Sequence, residues 1–198
     1  MKRWRRLAIV AGLALLVPAA GGVTYAAYTA TTANSGNRIE AGSVKLSDNG
    51  DGSSMLSLSG AVPGDTTSAC IRVTYDGSLP ATVRLHGTTA GSGLDPYLDL
   101  RVTRGVYNPT EPAFKSCSNF QADGTNYIGA GNGVIYNGTL QGFADDYATG
   151  LVDPLSGSPE SWTTGEVHVY RLEATLQFDF AAQNKTATQI FRWEARNQ

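Results

Sequence analysis

From position 38 onward apolar and polar side chains alternate with period two, in segments bounded by turn residues, which predicts strands rather than helices. The first segment, 38–48 (RIEAGSVKLSD), runs into Asn49-Gly50-Asp51-Gly52. Its two X-Gly pairs supply the positive φ angles of a tight hairpin, and Met55, Leu56 and Leu58 start the predicted return strand. A Val62-Pro63-Gly64-Asp65 turn precedes 68–77 (SACIRVTYDG), where Ile71, Val73 and Tyr75 share one face and Arg72 and Thr74 the other. Gly77-Ser78-Leu79-Pro80 turns the chain into 81–87 with Val83 and Leu85 inward, and Leu98, Leu100 and Val102 repeat the alternation.

Between Gly105 and Ser161 the pattern fails, and Pro, Gly and Asn recur. This reads as long loops with one short helix near 139–148, where Leu140, Phe143 and Tyr147 follow helical spacing. Alternation returns in 165–180, but the inward parity passes from Val167 and Val169 to Leu172, Leu176, Phe178 and Phe180, predicting a one-residue bulge near Tyr170. Phe191, Trp193 and Ala195 share one face of the last strand. The whole predicts an all-β fold: an antiparallel β-sandwich, one domain over 38–198 with an irregular insertion at about 105–160.

Composition agrees. The chain has 198 residues, 16% charged and with 23 glycines, enough for one core and unlike a helical bundle or coiled coil. Four of its 15 basic residues, Lys2, Arg3, Arg5 and Arg6, crowd the first six positions, and the fourteen uncharged residues Leu7 to Ala20 follow. That pair of features predicts a secretory signal peptide over 1–27, cleaved between Ala27 and Tyr28; an uncleaved signal anchor is the alternative. Without the leader, 11 basic residues face 17 acidic ones, a net of −6, which excludes nucleic acid as an expected partner. Export implies an oxidising compartment, so Cys70 and Cys117 are expected to form a disulfide. A redox or metal-binding thiol pair is the alternative, without C-x-x-C spacing to support it.

Candidate chemistry is sparse. His86 and His168 lie on predicted strands opposite in parity to their apolar neighbours, which reads as solvent-facing, and neither belongs to H-E-x-x-H. There is no G-x-S-x-G elbow, Asp145-Asp146 with Asp153 reads as a solvated or capping surface, and Asp48 to Asp51 lacks calcium-loop spacing. No catalytic, metal or cofactor-binding residue is therefore predicted, and the expectation is a non-enzyme. Tyr107, Phe114, Phe120, Tyr127, Tyr136, Phe143, Tyr147 and Trp162 would offer a contact surface to a secreted adhesion module if exposed, burial being their default.

Five stretches together are similar to the TasA and camelysin family of secreted β-sandwich proteins processed by a SipW-type signal peptidase. They are G-G-x-T-Y-A-A-Y (21–28), N-R-I-E-A-G-S-V-K-L (37–46), V-P-G-D (62–65), G-S-L-P-A (77–81) and F-R-W-E-A-R-N-Q (191–198). The resemblance covers residues 20–87 and 165–198, while 105–160 and the two cysteines have no counterpart in it. It implies a jelly-roll-like sandwich that is exported and built into extracellular or biofilm-matrix fibres, with its own copies, the signal peptidase and other surface components as partners. Some relatives carry the name of a metalloendopeptidase, for which this chain lacks the motif. Assembly in that family is by strand donation, which would make Tyr28, Thr29, Ala30, Thr31, Thr32 and Ala33 a donor strand. Residues 28–37 suit this independently, being uncharged and rich in Thr, with too little apolar area to fold alone.

Overall fold

The computed structural model describes residues 29–33, 44–50, 52–155 and 158–197. Thirteen strands follow in chain order: β1 (Thr29–Ala33), β2 (Leu46–Asp48), β3 (Thr66–Tyr75), β4 (Ala81–Gly91), β5 (Leu98–Tyr107), β6 (Phe120–Ala122), β7 (Val134–Thr139), β8 (Leu151–Val152), β9 (Pro154–Leu155), β10 (Ser158–Pro159), β11 (Ser161–Trp162), β12 (Glu166–Leu176) and β13 (Ala187–Asn197). Two antiparallel sheets pack face to face. One has the order β1-β13-β4, with β8 and β11 on the far edge of β4; the other runs β2-β3-β12-β5, with β6 and β7 beyond β5. A small β9-β10 hairpin stands apart from both.

The predicted core faces hold. Ile71, Val73 and Tyr75 on β3, Val83 and Leu85 on β4, Leu98, Leu100 and Val102 on β5, and Phe191, Trp193 and Ala195 on β13 are all buried in one cluster. Tyr170 meets Trp193 across the sheets with ring centroids 5.4 Å apart, and Tyr136, Phe143 and Phe191 form an edge-to-face chain.

Three expectations are corrected. No return strand follows Asn49-Gly50: β2 pairs with β3, and Asn49 prolongs that edge, its N–H donating to the Arg72 carbonyl and its side-chain oxygen accepting from the Arg72 N–H. Residues 53–58 are then left without a strand partner, and Met55 plugs into the core. Of the predicted strand 38–48, residues 38–43 lie outside the described residues.

The helix expected at 139–148 is a single 3-10 turn, Leu140–Gly142, capped by the Thr139 hydroxyl. Helical spacing would put Leu140, Phe143 and Tyr147 on one face. Instead Leu140 and Phe143 enter the core, while Tyr147 crosses the outer side of β4 and donates to the Thr82 carbonyl. The interval 105–160 is mainly irregular, as expected, but it also holds the short strands β6 and β7, which extend the second sheet, and β8, which joins the first.

There is no bulge at Tyr170. β12 pairs in unbroken register with β3 from Glu166 to Thr175. Tyr170, Leu172 and Leu176 point inward along its whole length, and Val167 faces out. β12 ends at Leu176, so Phe178 and Phe180 are not inward residues of that strand but stand 86% and 87% exposed beyond it. The chain leaves the ladder because Gln177 N–H donates to the Tyr97 carbonyl and Asp179 caps a 3-10 turn, Phe180–Ala182.

Candidate functional site

The donor strand expected from the sequence is the strand β1. Thr29 to Ala33 pair antiparallel with Arg196 to Arg192, placing the segment at the edge of the first sheet against the C-terminal strand. Ala27 and Tyr28, the expected cleavage point, lie outside the described residues. Among the described residues β1 pairs with β13 alone, and it covers five of that strand's eleven residues.

The outer face behind that edge is closed by residues 144–150. The Tyr147 ring lies between Arg84 and Arg196, 5.2 and 3.8 Å from their guanidinium carbons, and Arg84 Nη1 donates to the Ala148 carbonyl at 2.9 Å. His86 is buried beneath this segment, its Nε2 3.1 Å from Glu194 Oε2, so it is not solvent-facing as its parity suggested. Parity identified the outer face correctly; what covers that face is a non-local segment.

On the other sheet the edge of β3 is guarded. The Cys70–Cys117 disulfide is formed, with Cα atoms 5.1 Å apart. It fastens residues 108–119 to β3, where Lys115 carries φ 72° and its carbonyl accepts from Cys70 N–H. Glu111 adds an ion pair to Arg72 at 2.9 Å and accepts from Asn49 Nδ2 at 2.7 Å. With β2, these contacts satisfy successive outward groups of β3, the usual means of blunting an edge.

Between the sheets, at the end where β12 begins, lies a polar cluster that sequence reasoning missed. Arg104 follows Leu98, Leu100 and Val102 on the inward parity of β5 and is buried beside Tyr170, its register partner on β12. Its Nε lies 2.5 Å from Asp123, its Nη1 bonds Glu160 and stands 3.6 Å from Asp153, and its Nη2 donates to the Tyr127 hydroxyl at 2.9 Å. Tyr170 donates to Asp153 at 2.7 Å. His168, predicted to face solvent, faces this cluster, its Nε2 3.0 Å from Glu166 and its ring 4.5 Å from that of Trp162. With the bulge removed, His168 falls on the same face as Tyr170 and Leu172; uninterrupted parity was the signal that could have found it.

Burial raises the Asp153 carboxyl above its ordinary value, against the pull of His168, Arg104 and the Tyr170 hydrogen bond. Burial alone would lower Arg104, but Asp153, Asp123 and Glu160 outweigh it and keep the guanidinium charged. Tyr170 is held well above its ordinary value by burial and by Asp153.

Ligand atoms of Asp153, Glu160 and His168 lie within 4.8 Å of one another, near enough to share a cation. Arg104 contacts both carboxylates, so a guanidinium already supplies positive charge to that set. The arrangement ties the β8–β11 edge to the facing sheet, since Asp153 and Glu160 form the base of the β9-β10 hairpin, joined by Glu160 N–H to the Asp153 carbonyl at 2.7 Å.

None of the eight aromatic residues of the 105–162 interval is exposed; Phe143 and Trp162 are buried and the rest partly buried. The described helices include none long and apolar enough to cross a membrane. No protein-family model matches the chain, and no curated protein matches it.

Proposed function

We propose that this chain is an exported structural protein, a non-enzymatic subunit of extracellular or cell-surface fibres in which the N-terminal segment of one copy completes the sheet of the next. The carrying observation is the pairing of β1. Its ladder is made with the C-terminal strand, from Thr29 opposite Arg196 to Ala33 opposite Arg192. A strand at a sheet edge, held by one ladder, can be exchanged between copies in the same register, and a head-to-tail exchange propagates instead of closing. The disulfide and the similarity of both chain ends to the TasA and camelysin family support the same reading. None of the 105–162 aromatics stands exposed, which weighs against a monomeric adhesion module built on them.

Electron microscopy of the purified mature protein, beside a variant lacking residues 28–37, tests the proposal. Mass spectrometry of the secreted N-terminus should find Tyr28. Filaments from the mature chain and folded monomers from the deletion variant are expected. Filaments of normal length from the deletion variant would refute strand donation.

A further inference from the structure

At the end of the sandwich where β12 stops, a cavity of about 790 Å³ opens between the sheets, with Leu56, Leu58, Leu98, Leu176 and Ile190 in the apolar part of its lining. Its rim carries the largest exposed apolar side chains of the described residues. Phe178 and Phe180 are 86% and 87% exposed, and Val62 on the adjoining turn is 60% exposed. The Phe178 ring rests against Gly64, where an added Cβ would meet Cζ at 2.8 Å, so the turn leaves it nowhere to fold inward. Phe180 itself borders the cavity. Alternation along 165–180 marks both rings as core residues, yet the fold leaves them outside. A local rule broken in this way, with an apolar patch as the result, marks an interaction site.

We infer that this tip is a self-association surface, in which the Phe178 and Phe180 rings of each copy enter the cavity of a second copy. Knob and hole lie on the same end of one chain, which is what two-fold, self-complementary docking requires. Four rings burying roughly 150–250 Å² each, with a comparable area of cavity wall, reach the roughly 1,200–2,000 Å² of a stable interface. The cavity border carries one carboxylate and one ammonium, Asp179 and Lys185, which is no basic cluster of the kind that holds an anionic lipid surface. The inference does not rest on strand donation, which uses the ladder of β1 with Arg192 to Arg196, whereas β13 borders the cavity through Ala187 to Phe191.

The test is photo-cross-linking of the mature chain with p-benzoylphenylalanine replacing Phe178, in an equal mixture of unlabelled and isotope-labelled protein. Mixed-isotope links from position 178 to residues 52–61, 94–100 or 174–191 are expected. An Ile190→Glu charge in the cavity wall should lower their yield at least about tenfold. Phe178→Ser/Phe180→Ser should shift sedimentation toward smaller species, and both residues are exposed enough for the fold, checked by circular dichroism, to persist. Links confined to one copy, sedimentation unchanged in the double serine variant, or transfer of the protein onto phosphatidylcholine vesicles would each overturn the proposal. Strand donation is read separately, from filaments of the deletion variant.

Discussion

The guanidinium of Arg104, on the inner face of β5, stands 3.6 Å from the carboxylate of Asp153, which enters from the edge of the facing sheet. Arg104 also reaches Asp123, Glu160 and Tyr127, so one side chain serves as the hub of an end of the sandwich. Removing it leaves the buried Asp153 and the partly buried Asp123 and Glu160 without their shared guanidinium. Arg104→Met is expected to cost about 3–5 kcal/mol in denaturant unfolding. Arg104→Lys should recover only part of the loss, because an ammonium lacks the fork that reaches three partners. A loss below about 1 kcal/mol in the Met variant would contradict the hub role.

Asp153 predicts an unusual pH dependence. Its carboxyl is raised above 3.8, chiefly by burial. Its contribution to stability is therefore full below that value and lost as pH rises through the raised one, the reverse of a salt-bridged surface carboxylate. Asp153→Asn keeps an acceptor for Tyr170 and removes the charge. Its stability should vary less than the parent's between about pH 4 and 7, and at pH 7 should equal or exceed it within about 1 kcal/mol. Urea midpoints across that range measure both.

The disulfide closes a loop of 47 positions. Reduction, or Cys117→Ser, is expected to lower stability by about 4 kcal/mol in the chain-entropy model. Hydrogen exchange should rise first at Cys70 N–H, which donates to the Lys115 carbonyl held beside the bridge. Unchanged protection there after reduction would show that Glu111 and Asn49 hold the guard segment unaided.

Proline scanning of β1 should give alternating effects. In an antiparallel ladder successive N–H groups point toward the partner strand and away from it. Of Ala30→Pro and Thr31→Pro, one should remove a bond to β13 and weaken filament formation while the other leaves it nearly unchanged. Equal effects, read by filament length under the electron microscope, would mean that the ladder does not govern assembly.

Gly105 faces Ala122 across the β5-β6 pair, and a Cβ there would lie 2.1 Å from the Gln121 carbonyl oxygen. Gly105→Ala should therefore displace β6, with a cost of about 1–3 kcal/mol in thermal or denaturant unfolding. A neutral effect would imply that β6 shifts freely.

Period-two alternation determined the all-β class, the inward faces of β3, β4, β5 and β13, and the Val62 to Asp65 turn, because side-chain direction along a strand is a local property of the backbone. The pairing of the two cysteines was likewise legible from the sequence. What covers each face was decided only by tertiary structure. His86 has outward parity yet is buried under 144–150, and Asn49 finds its partner in Arg72, 23 positions away, instead of closing a hairpin. The length of β12 was decided in the same way: hydrogen bonding to Tyr97 ends the ladder at Leu176 and turns Phe178 and Phe180 outward. The Arg104 cluster draws on five separate stretches of chain, and no local pattern specifies it. Burying those charges is tolerable only when distant strands bring the partners together, and that long-range pairing belongs to the fold.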